Sequence, residues 1–378
     1  MKVSILKASD YTDREIQRVV DAHFSLLGAD RDIRRDMKVL LKPNLVMKRD
    51  PESATTTHPA FVKAVIRHLE GLGVTDITVA DSPGGLYSRA ALSGIYDTCG
   101  MAGAVAGTCA KLNLDTTSGT RAADSRLVPE FPIITPVLQA DYIISLPKLK
   151  THCMTGLSGG VKNLFGVIPG LTKPEFHYRF SENARFCSML VDLAGTVSPS
   201  LTIVDAVDSM EGDGPSAGIK KHTGLSFAGK GPFFLDRILL EYIGMPVSEC
   251  LTVHEAIQRS LCPSSAAQIP VCGDFTTPPR CGDFRMPRSK HVDFGESIPG
   301  FVRKPALYLA NRLLTPRPVI RHNNCIGCGK CAQSCPAKTI RIQKKKARID
   351  YRSCIHCFCC HEMCPVSAIH IRRSPLSR

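Results

Sequence analysis

The sequence predicts an α/β domain with a largely parallel sheet, followed by a small α+β domain built around cysteines. From Lys2 to Ile243, short β-rich apolar runs alternate with helix-period patterns, as in strands joined by crossover helices. From Cys325 to Pro365, eight cysteines recur at fixed spacing in two copies 29 residues apart. The charge divides between the same two parts: 28 Lys plus Arg stand against 29 Asp plus Glu up to Pro279, and 20 against 5 beyond it. These observations place an α/β ligand-binding domain at 1–261, a Pro-rich linker and connecting helix at 262–314, and the cysteine-rich domain at 315–378.

The α/β elements follow in order. Val3 to Leu6 reads as a strand, Asp13 to Leu27 as an amphipathic helix and Lys38 to Lys42 as a buried strand. That strand ends in Lys42-Pro43-Asn44, where proline stops the ladder and turns the chain outward. A helix is expected from Pro59 to Leu72, then a strand from Asp76 to Ala80 that delivers Asp81-Ser82-Pro83-Gly84-Gly85 at its carboxyl end. Ligands of open α/β sheets sit beyond such ends, and a helix beginning near Ser88 would add its positive pole; the loop reads equally as a plain turn.

Asp141 to Leu146 is the next strand, running into Pro147-Lys148-Leu149-Lys150-Thr151-His152. If this segment stays extended, Lys148, Lys150 and His152 share a face by the period-two rule. Such a cationic face is either a solvated strand end or an anion site, and the nearby Lys162 and Asn163, after a glycine-rich turn from Gly156 to Gly160, favour the second. Ala184 to Gly195 reads as a helix and Leu201 to Val204 as a strand. Asp205 and Glu211 follow and would face the lysines across a polar cleft. A strand from Gly224 to Ala228 and a helix from Phe233 to Ile243, stopped by Gly244, complete the domain. From Cys262 to Gly300 prolines interrupt every pattern, and a helix is expected from Phe301 to Leu314.

The first cysteine copy is Cys325-x-x-Cys328-x-x-Cys331-x-x-x-Cys335-Pro336, and the second is Cys354-x-x-Cys357-x-x-Cys360-x-x-x-Cys364-Pro365. This is the bacterial ferredoxin spacing. A tight loop supplies three thiolates to a cubane, and the fourth crosses over from the other copy. One 4Fe-4S cluster is therefore expected on Cys325, Cys328, Cys331 and Cys364, and a second on Cys354, Cys357, Cys360 and Cys335. Disulfides suit small secreted domains, and zinc sites pair more distant C-x-x-C units, so both readings fit poorly. Cys359 is surplus and reads as a small apolar side chain. Cys250, Cys262, Cys272 and Cys281 are too irregularly spaced for a further metal site.

With 378 residues, 43% apolar content and 17 cysteines, the composition suits a globular chain in a reducing compartment, expected to be cytoplasmic. No run approaches a transmembrane segment. The basic surplus in the cysteine domain offsets anionic clusters, and the run Lys344, Lys345, Lys346 and Arg348 would dock an acidic redox partner. No aromatic residues interleave with it, which argues against nucleic acid. No GxGxxG fingerprint for a dinucleotide is present.

Lys42-Pro43-Asn44, Leu146 to His152, Val161 to Gly166, and Ile203-Val204-Asp205 followed by Glu211 to Pro215 together resemble the domain of unknown function 362 family, whose members often carry a two-cluster ferredoxin module. The resemblance spans nearly the whole chain and implies that the basic cleft serves a shared function. Gly231 stands where the family usually has Asp, whereas Asp236 matches. The expectation is an iron-sulfur oxidoreductase that delivers single electrons to an anionic substrate or further cofactor in the α/β domain. His152, with Lys150, would act in catalysis as proton donor, because histidine titrates near neutrality when unperturbed. Lys42, Asn44, Asp81, Ser82, Lys148, Lys162, Asn163, Asp205 and Glu211 would bind the substrate. The alternative is a ferredoxin-type carrier or redox-sensing subunit without catalysis.

Overall fold

The computed structural model describes residues 1–125, 127–287 and 316–372. Strand β1 (Val3–Lys7) leads into α1 (Asp13–Leu27), which opens on a Thr12 side-chain cap and closes on Gly28 at φ 62. β2 (Lys38–Pro43), α2 (Pro59–Gly71) and β3 (Asp76–Val79) repeat the strand–helix alternation, followed by α3 (Arg89–Thr98), which Ser88 caps, α4 (Met101–Val105) and β4 (Lys111–Leu112). A separate hairpin, β5 (Ser118–Ala122) and β6 (Glu130–Ile134), precedes α5 (Thr135–Gln139), β7 (Tyr142–Leu146), β8 (Lys148–His152) and β9 (Gly156–Ser158). Then come α6 (Gly160–Asn163), α7 (Thr172–Arg179), α8 (Asn183–Val197), β10 (Leu201–Glu211), β11 (Ile219–Gly229), α9 (Pro232–Ile243), α10 (Leu251–Gln258) and β12 (Val271–Gly273).

These strands build a ten-stranded sheet in the order β12-β1-β11-β10-β7-β2-β3-β4, with β8 paired to β10 and β9 to β8. The run β10-β7-β2-β3-β4 is parallel throughout, and β11 enters antiparallel between β1 and β10. Strand alternation serves both faces: Val39 and Leu41 pack with α1 and α2, while Leu40 between them faces the layer of α7 and α8. A third cluster joins Val3, Ile5, Val204 and Phe227 to α9 and α10.

Three stretches differ from the sequence expectation. β10 runs on from Val204 to Glu211, because Asp205, Asp208 and Glu211 are each paired and can stay in the ladder. The glycine turn at 156–160 contains β9, paired antiparallel with β8. The described part of the proline-rich segment is built into the α/β body rather than strung between domains: β12 extends the sheet beside β1, and Ile269 and Phe284 join its core. Cys250 and Cys262 are buried thiols, Cys272 points its Sγ at Val3 O and Cys281 packs with the third cluster. The helix expected at Phe301 to Leu314 lies outside the described residues.

In the cysteine-rich domain β13 (Arg317–Ile320) pairs with β16 (Ile369–Arg372), and β14 (Ile340–Gln343) forms a hairpin with β15 (Lys346–Ile349). Helical turns at Lys330–Gln333 and Cys359–Glu362 occupy equivalent places in the two copies. Among the described residues, no helix is long and apolar enough to cross a membrane.

Candidate functional site

The parallel strands β2, β3 and β7 end at one edge, and the predicted motifs Lys42-Pro43-Asn44 and Asp81-Ser82 meet there. Lys42 is fully buried, and its Nζ lies 2.6 Å from Asp81 Oδ1. Asp81 Oδ2 accepts from Leu45 N at 3.0 Å, so the carboxylate both neutralises the lysine and fixes the turn after β2. Asn163 Oδ1 accepts from Asn44 Nδ2 at 3.0 Å and Lys42 Nζ at 3.4 Å, while its Nδ2 donates to Ser145 Oγ at 2.9 Å. A Cβ at Gly166 would strike Asp81 and Lys42, so only glycine lets the 164–167 turn close over the pair. Asp236 of α9 holds the opposite end of α6 by accepting from Gly160 N at 2.6 Å and Val161 N at 3.0 Å. Burial pushes its carboxyl up to about 7.

The remaining candidates separate from this group. Lys148 pairs with Asp205 at 2.8 Å and donates to Tyr11 Oη at 2.7 Å, all beneath the surface. Asp205 also accepts from Tyr11 Oη and His58 N. This is a buried structural pair, so the expectation that Lys148 and Asp205 face a ligand is corrected: each is the other's counter-charge. Glu211 is likewise taken, by Lys221 and by the side chain and backbone of Arg285. Lys150 donates to Asn44 Oδ1 and Thr55 O, both at 2.7 Å, and so braces the pocket from behind.

His152 needs a second correction. Its Nδ1 accepts from Met154 N at 3.1 Å and Thr155 N at 3.4 Å, which leaves the proton on Nε2. Burial, with Lys162 and Lys150 nearby, lowers its pKa well below the ordinary range, so it is a neutral imidazole and not the expected acid. Nε2 stands 3.3 Å from Glu362 Oε1 without hydrogen-bond alignment.

Glu362 comes from the cysteine-rich domain, whose second helical turn docks on the sheet edge. Ser216 Oγ donates to Glu362 O at 3.0 Å, Arg49 Nη2 reaches Cys364 O at 3.5 Å, and Met363 packs on Gly84. Between the two domains lies an open pocket lined from both sides. Its α/β wall includes Lys42, Asn44, Asp81, Ser82, Lys162 and Asn163, and its other wall is Ser334, Cys359, Glu362 and Met363. Val46, Pro83, Phe165 and Pro174 make parts of it apolar.

Two lining residues carried no sequence signal. Lys173, in α7, donates to Ser82 O and Ile168 O, both at 2.6 Å. Buried His177 stacks on Phe186 and leaves its Nδ1 without a hydrogen-bond partner. Burial drives this imidazole down to about 3, so it is neutral. Lys162 places its Nζ 4.9 Å above the Phe165 ring and has no carboxylate partner among the described residues. Lys42 is already matched by Asp81, whereas Lys162 forms no salt bridge among the described residues and shares the pocket with Lys173 and the carboxyl of Glu362. Burial lowers Lys150 and Lys173 to about 7. Both are charged below that value and neutral above it, so protection of the folded chain against heat by sulfate, which stays a dianion throughout, should strengthen as pH falls from 8 to 6. A midpoint shift in melting scans that is flat over this range would remove these lysines from anion binding.

The thiols fall into two groups. Cys325, Cys328, Cys331 and Cys364 line one cavity; Cys335, Cys354, Cys357 and Cys360 line another. Each expected ligand set thus surrounds one space, crossover residue included. Backbone N–H groups donate to sulfur at equivalent places, Thr339 N to Cys335 at 3.3 Å and Ala368 N to Cys364 at 3.1 Å, with Ala347 N to Cys325 at 3.4 Å. Among the described residues no three Cys, His, Asp or Glu side chains close on a single ion. Thiols spread around a cavity suit a cubane better than zinc. Cys359, read from sequence as inert packing, is buried but lines the interdomain pocket and lies in hydrogen-bonding contact with Cys357.

The model of the family described as domain of unknown function (DUF362) matches residues 39–241, and a 4Fe-4S dicluster domain matches 317–365. A thylakoid-associated protein of Synechocystis sp. is 29% identical over 266 residues, covering 70% of this chain and 81% of that protein. Among solved structures, a Thermotoga maritima protein is similar at TM-score 0.33 and 16% identity, with 52% of this chain and 51% of that chain covered. The lactate racemase apoprotein of Thermoanaerobacterium thermosaccharolyticum is similar at TM-score 0.35 and 14% identity, with 60% and 53% covered. The chain spans about half the length of these two structures, and likeness at that level carries no argument about function.

Proposed function

This chain belongs to the DUF362 family and carries a 4Fe-4S dicluster domain, and on that premise we propose that it is an oxidoreductase passing single electrons between two 4Fe-4S clusters and an organic anion held in the interdomain pocket. The observation that carries the reading is the make-up of that pocket. One wall is the basic sheet edge, and the other is made of residues adjoining cysteines of both sets: Ser334 precedes Cys335, Cys359 precedes Cys360 and Met363 precedes Cys364. A molecule in this space touches the anchoring charge and the thiol-bearing loops at once.

The residues divide the work. The two sets of four thiols would hold the clusters, which supply one-electron chemistry when bound. Lys162 anchors a carboxylate or phosphate, and the Lys42–Asp81 pair keeps the floor rigid without adding net charge. Lys173, which lines the pocket, and Lys150, which stands behind it against Asn44, are lowered to near neutrality and can hold or release a proton, a task neutral His152 and His177 do not share. Phe165 and Met363 exclude water from its apolar body.

The test is ligand stabilisation. Phosphate and benzoate, screened separately, should stabilise the purified holoprotein by about 2.7 kcal/mol at a hundredfold excess over the dissociation constant, read as a rise in melting temperature. Lys162→Gln should abolish that gain and leave iron content unchanged. If neither probe stabilises the wild type, or Lys162→Gln behaves as wild type, the carrier or sensor reading replaces this one.

A further inference from the structure

The two thiol-lined cavities are not equivalent in exposure, and the difference gives the cysteine-rich domain an outer and an inner pole. The cavity around Cys325, Cys328, Cys331 and Cys364 opens outward: Cys328 is exposed, and Ile326, Ile342 and Val366, which also line it, are 62%, 38% and 39% exposed. The cavity around Cys335, Cys354, Cys357 and Cys360 has no exposed lining residue. That inner cavity adjoins the interdomain pocket through Ser334 and Cys359, the second of which touches Cys357.

The outer pole is apolar at its centre and basic at its rim. The β14–β15 hairpin contributes exposed Arg341, Lys344, Lys345 and Arg348, and Lys330 stands on the loop carrying Cys331. Lys345 backbone packs against Gly327 of the outer cavity. Residues 316–372 contain two acids: Asp350 is held by Arg352, and Glu362 is turned inward to the pocket. The rim is therefore unbalanced positive charge. Lys346 is not part of it, because its Nζ donates to Cys325 O at 2.7 Å and braces the loop.

Resting on the function proposed above, we infer that an acidic electron-carrying protein docks on this outer pole, with carboxylates on the lysine and arginine rim and an apolar contact over Ile326. An apolar centre inside a polar rim is the usual anatomy of a protein interface, and charge complementarity commits the occupant to an acidic protein. A cluster held by Cys325, Cys328, Cys331 and Cys364 would exchange one electron with that partner, the partner losing the electron that the cluster gains or the reverse. The inner cavity adjoins the pocket through Ser334 and Cys359, so partner and ligand occupy different surfaces of the domain.

The experiment uses the full holoprotein and a plant-type ferredoxin, an acidic protein, as the probe, with its dissociation constant measured at low and high ionic strength. Lys344→Glu with Lys345→Glu should weaken binding about tenfold at low ionic strength and flatten its salt dependence. Ile326→Gln should weaken it at both. A charge-matched control far from the pole, Lys2→Glu with Arg14→Glu, should leave binding within twofold, with iron content confirming cluster retention in every variant. Equal loss in the control, or no loss in the hairpin variant, overturns the docking assignment. Lys162→Gln should leave ferredoxin binding intact, so failure of the docking surface and failure of the pocket reading are told apart.

Discussion

Replacing Cys335 by serine should remove about half of the iron, and the half that is lost should be the part held by the second cysteine copy. Cys335 belongs to the first copy in sequence, yet it shares a cavity with Cys354, Cys357 and Cys360. Its sulfur accepts from Thr339 N, just as Cys364 accepts from Ala368 N in the other cavity. Two complete cubanes carry about eight irons, so iron and sulfide analysis of anaerobically purified Cys335→Ser should return about four, and one of two paramagnetic signals should vanish on reduction. Cys364→Ser should delete the other signal. Cys359→Ala should keep both, since Cys359 faces the interdomain pocket and not a thiol-lined cavity. Loss of the Cys325, Cys328 and Cys331 signal on changing Cys335 would show that the ligands do not cross over.

The second large effect separates structural lysines from functional ones. Lys148→Met should destabilise the chain by about 3–5 kcal/mol, because it strands Asp205 as a buried carboxylate without its counter-charge. The pair lies 2.8 Å apart with essentially no exposure, and desolvation is what makes either group alone costly. Changing both, Lys148→Met with Asp205→Leu, should recover part of that loss in chemical denaturation. Binding of phosphate by the folded fraction should survive Lys148→Met, whereas Lys162→Gln should lose binding with little change in stability. If Lys148→Met instead leaves stability intact and removes anion binding, the assignments of these two lysines are exchanged.

How far the site was legible follows from where each interaction lies along the chain. Lys42, Asn44, Asp81, Ser82, Lys162 and Asn163 were found because each follows a strand end or glycine turn, and the parallel strands bring such ends to one edge. Lys173 and His177 were missed because α7 gives no local sign that its buried face borders a pocket. Glu362 was hidden inside the cysteine motif, where it reads as a spacer. The long β10–β11 ribbon was cut short because its acids look like loop residues until their cationic partners are seen.

By itself the sequence determined the α/β alternation, the mostly parallel sheet and the presence of a dicluster domain. Strand periodicity and thiol spacing are local properties, set by backbone geometry over a few residues. Tertiary structure alone decided which charges are spent on each other and which stay available, since Lys148 and Asp205 are 57 residues apart and Lys42 and Asp81 are 39 apart. It also decided that His152 is neutral, because desolvation depends on everything packed around a group and not on its neighbours in sequence. The pocket between the domains is of the same kind: one wall of it, Ser334, Cys359, Glu362 and Met363, comes from a domain that begins more than a hundred residues after the other, and only docking of the two creates the space.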